Sequence, residues 1–289
     1  MRLKKRAILN DVLSRIPDKP LYHYTTQAGL LGIINAREIW ATHTQYLNDR
    51  REFLHAVDLV RNEIQRLAQE TPNHSDQPAR EQMLQRMQEA LSRSPENMNV
   101  CVCSFSEDSD SLSQWRAYGR SSGFAVGFSG EVLKASTQRL EWYLAPCIYD
   151  PSEQRALVRA LVENVLEENL SGETLDDSNP EDENIFRQMG GNLVADLNCY
   201  APMLKDQSCP IFCKRLDYRE GKSLIVPYYK LPLCEDNQRL HLHEIVVGPT
   251  RDAERSKSSV TSLIVSRKVV MQGIGGVNIR ISQVPYRDW

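Results

Sequence analysis

The apolar residues of this chain repeat with two different periods, and the two periods occupy separate blocks. Phe53, Val57, Val60, Ile64 and Leu67 recur at alternating spacings of four and three, which is the repeat of an α-helix with one buried face. Residues 99–106 (NVCVCSFS) and 278–284 (NIRISQV) alternate instead, as strands do when one face is covered. Helical blocks stand as insertions between groups of strands, whereas a parallel doubly wound sheet needs a helix after nearly every strand. The expected class is therefore α+β.

Along the chain, residues 21–25 (LYHYT) read as a strand after Pro20, and Thr26 as the cap of a helix carrying Leu30, Leu31, Ile33 and Ile34. A strand at 38–42 precedes Asn48 and Asp49, either of which can cap the long helix through Leu67. The polar stretch 71–78 separates it from a helix through Met83, Met87 and Leu91. A short helix at 111–118, a turn bracketed by Gly119 and Gly123, and strands at 124–128 and 140–149 follow. After Pro151 the period is helical at Leu157, Leu161, Val162, Val165 and Leu166, then an acidic loop spans 172–184 and a further helix carries Ile185, Met189, Leu193 and Leu197. Strands resume at 223–229 and 245–247, and 278–284 closes the series. The expected organisation is a single α+β domain over 1–289, with an N-terminal helix within 1–20 and helical elaborations at 50–95 and 151–207.

Charge and cysteine content narrow the function classes. Lys+Arg of 35 against Asp+Glu of 38 leaves a formal net charge of -3. A dedicated nucleic-acid binder shows a strongly basic domain instead, because phosphate neutralisation supplies its affinity. The short basic cluster Arg2, Lys4, Lys5 and Arg6 is interleaved with apolar residues and reads as an amphipathic helix ending before Pro17. No apolar run approaches the roughly 18 residues of a membrane span, and a cytoplasmic location is expected. The seven cysteines are odd in number and scattered, unlike a disulfide framework. Cys209 and Cys213 with His241 and His243 lack the tight spacing of a zinc site, so no metal is expected.

Four stretches put polar or aromatic groups where a plain core does not need them. In Tyr22-His23-Tyr24-Thr25 the tyrosines project to one face of the strand and His23 to the other; a strand histidine more often serves packing than ligand contact. In Leu47-Asn48-Asp49 with Glu52, helix capping is a sufficient account. Ser104-Phe105-Ser106 leads to Trp115, Tyr118 and Gly119, with the two rings three residues apart on one helical face. Glu244 begins the apolar strand that Gly248-Pro249 ends, and a carboxylate there is either paired or functional.

In this order the four motifs resemble an uncharacterised bacterial family of domains of unknown function, from about Leu21 onward. That family is similar to the ADP-ribosyltransferase superfamily, in which a strand histidine, an aromatic residue and a late glutamate form a site for NAD. The resemblance implies that His23 bonds a ribose hydroxyl, that the backbone beside Tyr24 holds the nicotinamide amide, and that Tyr118, with Trp115 as its rival, stacks on the nicotinamide ring. It implies that Glu244 is the catalytic carboxylate, with His23 and Tyr118 beside it, and that Thr25, Ser104 and Ser106 line the dinucleotide. Leu242 stands where arginine-modifying members carry a first glutamate, which leaves the acceptor open: a protein, a nucleic acid, a small molecule or water. Lys214, Tyr218 and Glu220 match another family pattern, but Lys222 and Leu224 replace its second Glu and its Arg, so Glu220 is the alternative carboxylate.

The chemistry suits these residue types. Cleaving the nicotinamide–ribose bond develops an oxocarbenium-like cation that a fixed carboxylate stabilises. An aromatic face adds roughly 0.5 to 2 kcal/mol of cation–π attraction for the departing ring. The expected function is transfer of ADP-ribose from NAD; the alternative is a non-catalytic nucleotide-binding or protein-interaction module of the same fold.

Overall fold

In the computed structural model, the structure describes residues 11–47, 51–70, 77–92, 101–119, 122–140, 142–170, 216–221, 223–271 and 278–286, though not the side chains of 51–54, 77, 90 and 168–170. Asn48, Asp49, the side chain of Glu52, the acidic loop, the helix expected from Ile185 to Leu197, Cys199, Cys209, Cys213, Lys214 and Lys222 lie outside the described residues. Helices and sheets of mixed direction make an α+β protein.

The elements are β1 (Leu21–Thr26), α1 (Gln27–Ala36), β2 (Glu38–His43), α2 (Arg51–Gln69), α3 (Gln77–Ser92), β3 (Cys101–Val102), a helical turn (Leu112–Gln114) running into a π-helix (Trp115–Gly119), β4 (Gly123–Phe128), α4 (Gly130–Arg139), α5 (Pro151–Leu170), β5 (Asp217–Glu220), β6 (Ile225–Pro232), β7 (His241–Leu242), β8 (Glu244–Val247), α6 (Ala253–Ser266), β9 (Val270–Met271) and β10 (Ile279–Ile281). One sheet has the order β1-β4-β8-β10, a second β3-β2-β6-β5, and β7 pairs with β9. The described residues form two compact units. One takes in the described residues within 1–15, 42–102 and 141–228; the other takes in those within 16–41, 103–140 and 229–289.

The first unit contains a helical core. Val60, Ile64 and Leu67 of α2, Met83, Leu84, Met87 and Leu91 of α3, and Val158, Val162, Val165 and Leu166 of α5 are buried together. Their spacings of three and four put each set on one stripe, and packing of those stripes supplies most of the stability of such helices. Asp150 starts α5 by accepting from the backbone N–H of Ser152 and Glu153 at 2.9 Å each, with Pro151 at the first helical position where it lacks nothing the helix needs.

The second unit is built on the β1-β4-β8-β10 sheet. β4 runs antiparallel to both β1 and β8, while β10 lies parallel to β8. A parallel neighbour requires a crossover, and α6 and β9 supply it. Thr26 caps α1 as its sequence predicts, accepting from Gly29 N–H at 3.3 Å. Leu30, Ile33 and Ile34 turn inward, whereas Leu31, expected on the same side, is 47% exposed.

Other expectations are corrected. Residues 142–150 form no strand; Pro146 removes a ladder donor from the middle of the expected strand. Helices α4 and α6 carry no clear apolar stripe in sequence. Their serines, threonines and lysines mask the period, and α6 buries only Val260 and Ile264, four residues apart.

Gly127 and Gly248 are dictated by close approach. A Cβ at Gly127 would stand 2.8 Å from Tyr22 Cε1 and 3.2 Å from the Glu244 carbonyl oxygen; one at Gly248 would stand 2.8 Å from Trp115 Cζ3 and 2.9 Å from the Gly123 carbonyl oxygen. Overpacking of this kind costs about 1 to 3 kcal/mol, so Gly127→Ala is expected to lower the urea unfolding midpoint by that equivalent, with an unchanged midpoint refuting the contact.

Candidate functional site

Across the sheet, Tyr22 on β1 faces Gly127 on β4, which faces Glu244 on β8. Residues in register share a face. Because Gly127 has no side chain, the Tyr22 ring crosses it, and the phenol donates to Glu244 Oε1 at 2.6 Å. The other oxygen, Oε2, accepts from Arg280 Nε at 3.3 Å and from Asn278 Nδ2 at 3.4 Å. Glu244 is only 7% exposed, and a buried charge persists only when paired and hydrogen-bonded. Burial, and then the bond to Glu244, push the Tyr22 phenol well above its ordinary pKa, which keeps it a donor.

A second carboxylate organises the rim. Asp110 Oδ1 accepts from Trp115 Nε1 at 2.8 Å and from the Ser282 hydroxyl, Oδ2 accepts from Gln283 N–H at 2.7 Å, and the Arg280 guanidinium lies 3.7 Å away. Arg280 also donates to the Ser109 hydroxyl. The loop holding Ser109 and Asp110 is itself fixed to β1. Tyr22 and Ser106 exchange both backbone hydrogen bonds, at 2.8 and 2.9 Å, and the Tyr24 hydroxyl donates to the Asp108 carbonyl while accepting from Ser111 N–H. Burial raises the Tyr24 phenol to about 12, although the Ser111 N–H opposes the shift.

These contacts bring together some of the residues expected at the site and separate others. Tyr24 and Trp115 meet edge to face with centroids 4.6 Å apart, and they are buried with Tyr22, Ala125 and Val246 on the face that carries Glu244. His23 faces Val126, in register with Ile245 and Ile279, so its side chain leaves the opposite face of the sheet. The expected convergence of His23 and Glu244 on one cleft is therefore not what the register allows. The physical reason is the two-residue strand period: with Tyr22 and Tyr24 committed to the Glu244 face, His23 has no choice.

His23 Nδ1–H donates to the Ser104 carbonyl at 3.1 Å, and its ring lies against Phe105 with centroids 5.8 Å apart. Desolvation holds its pKa below the ordinary 6.5, with the Ser104 bond opposing. Thr25 belongs to the His23 face by alternation. Ser106 is tied to Tyr22 through its backbone, and its hydroxyl accepts from Asp108 N–H. Tyr118 is 43% exposed on the π-helix, whereas its rival Trp115 is 3% exposed. Glu220 is exposed on β5 in the other compact unit.

Sequence reasoning missed Asp110, Arg280, Asn278, Ser109 and Ser282. The available signal was a base inside the alternating NIRIS run together with an acid opening EIVV: charges of opposite sign on two apolar strands ask for each other. Burial pushes the Cys103 thiol up to about 12. No group of three His, Cys, Asp or Glu side chains among the described residues is placed to hold a metal, and no described helix is long and apolar enough to cross a membrane.

Two expectations follow from this geometry. Tyr22→Phe removes a buried hydrogen bond to a charged acceptor, worth about 1.5 to 3 kcal/mol, and should lower stability by that much in urea titration while leaving the sheet formed. Below the ordinary histidine value of 6.5, the unfolded chain binds a proton that folded His23 rejects. Stability from this group is thus full above 6.5 and declines as pH falls toward the folded value. Unfolding midpoints taken between about pH 5 and 7.5 should fall on acidification, and His23→Gln should flatten that decline; an equally steep slope in the variant would refute the assignment.

No curated protein and no solved structure matches this chain. A family match covers less than half of it and includes Trp115, Tyr118 and Glu220 but neither His23 nor Glu244. Over residues 114–222 the chain matches an uncharacterised family, described as a protein of unknown function (DUF2971).

Proposed function

We propose that this chain is a nucleotide-binding module of the ADP-ribosyltransferase-like kind, one that holds an NAD-type dinucleotide without cleaving it. The ligand class comes from the motif resemblance. Support for binding is the gathering of Tyr22, Tyr24, Trp115 and Glu244 on one face, since an aromatic wall beside a carboxylate suits a cationic ring.

The single observation that carries the absence of turnover is the state of Glu244. Its two oxygens are taken up by Tyr22, Arg280 and Asn278, and His23 leaves the other face of the sheet. A carboxylate already neutralised by a guanidinium has little field left for a nascent sugar cation. In this reading no ADP-ribose acceptor is modified.

The catalytic reading keeps one specific support, the contact of Tyr22 with Glu244 at 2.6 Å. There the phenol would take the ribose-orienting part assigned to histidine, with Glu244 stabilising the cation. The test is nicotinamide release from NAD by the purified protein, beside Glu244→Gln and Glu220→Gln. Release at the level of the protein-free blank in all three is expected. Release by the unmodified chain that disappears in Glu244→Gln would replace the binding module with an enzyme, and loss confined to Glu220→Gln would move the site to β5.

A further inference from the structure

The buried aromatic and acidic face has a cover, and the cover is drawn from one short segment. Residues 278–284 are joined to β8 at its edge through Ile245 N–H to the Asn278 carbonyl at 3.0 Å and Ser282 N–H to the Val247 carbonyl at 2.8 Å. The same segment reaches across to the loop before the π-helix through Arg280, the Ser282 hydroxyl and Gln283 N–H, which converge on Asp110. Val284 packs on the cluster of Tyr22, Tyr24, Trp115, Ala125 and Val246. The Arg280 side chain is 34% exposed, against 17% for Asp110 and 9% for Glu244, so the guanidinium is the outermost of the three charges and stands over the other two.

We propose that residues 278–284 act as a strap that closes over the Glu244 face, with Asp110 as its latch and Arg280 as the cation that fills the place of a ligand. The strap rests on the binding reading above for its biological use, though not for its existence. Three side-chain or backbone donors of the strap meet one carboxylate, so the latch can be released at a single residue, and the edge ladder to β8 must then open and close without that support. A closed strap and an occupied face exclude each other, because Arg280 and Val284 take up the carboxylate and the aromatic wall. The apparent affinity of any ligand for this face is then lowered by the fraction of time the strap is shut.

The test is hydrogen exchange read by mass spectrometry on the full chain, without ligand, in Asp110→Asn and in the milder Ser282→Ala. Loss of charge-assisted bonds at the latch should accelerate exchange in residues 278–284 roughly tenfold or more, while the central strand β4 keeps its protection. Acceleration shared equally by β4 would signify global loosening and overturn the strap, as would unchanged exchange in both variants. Calorimetric titration with NAD forms a separate arm. Tighter binding by Asp110→Asn than by the unmodified chain is expected. Equal binding would overturn the gating, and no binding by either would overturn the nucleotide reading while the exchange result still decides the strap.

Discussion

A carboxylate inside a sheet is stable only when its charge is met, and the second compact unit is arranged around that requirement at Glu244. Tyr22 meets one oxygen by lying over Gly127, while Arg280 and Asn278 meet the other. Arg280 needs its own support, which Asp110 and Ser109 give. Asp110 in turn fixes Trp115 and residues 282–283. A chain of dependence thus runs from one acid to three separated stretches of sequence, and each link exists because the previous one would otherwise leave a polar group unsatisfied. Replacing such a network by apolar residues is often neutral in energy, so the network is better understood as specifying how these stretches meet than as raw stability.

Much of the fold was legible because it rests on periodicity. The stripes of α2, α3 and α5, the aromatic run of β1 and the apolar runs of β4 and β8 were visible in sequence, and Thr26 marked a helix start through ordinary capping chemistry. Helices α4 and α6 were not visible, since their polar composition hides a narrow buried stripe. The strand expected from Leu140 misled because an apolar and aromatic run says nothing about whether a ladder partner exists, and Pro146 withholds one donor.

The site was legible in its residues and not in its geometry. Tyr24, Trp115 and Glu244 share a face, whereas the motif resemblance implied that His23 would join Glu244, and Gly248 after β8 is explained by the Trp115 ring resting on it. His23 could not be placed by motif alone. Alternation already set it against Tyr22 and Tyr24, but which side belonged to Glu244 depended on register with β4, and register is a tertiary property. Asp110 and Arg280 were missed for a similar reason: each gains meaning from partners distant in the chain, as Arg280 does from Ser109, 171 residues before it, or across a parallel pair.

The pairing of β10 beside β8 also orders events during synthesis. Tyr22 leaves the ribosome 222 residues before Glu244, and Arg280 follows Glu244 by 36. Between those moments a nascent sheet of β1, β4 and β8 would hold an acid with its phenol in place and its guanidinium still to come. Until β10 pairs with β8, the carboxylate oxygen that Arg280 and Asn278 later occupy has to be met by water.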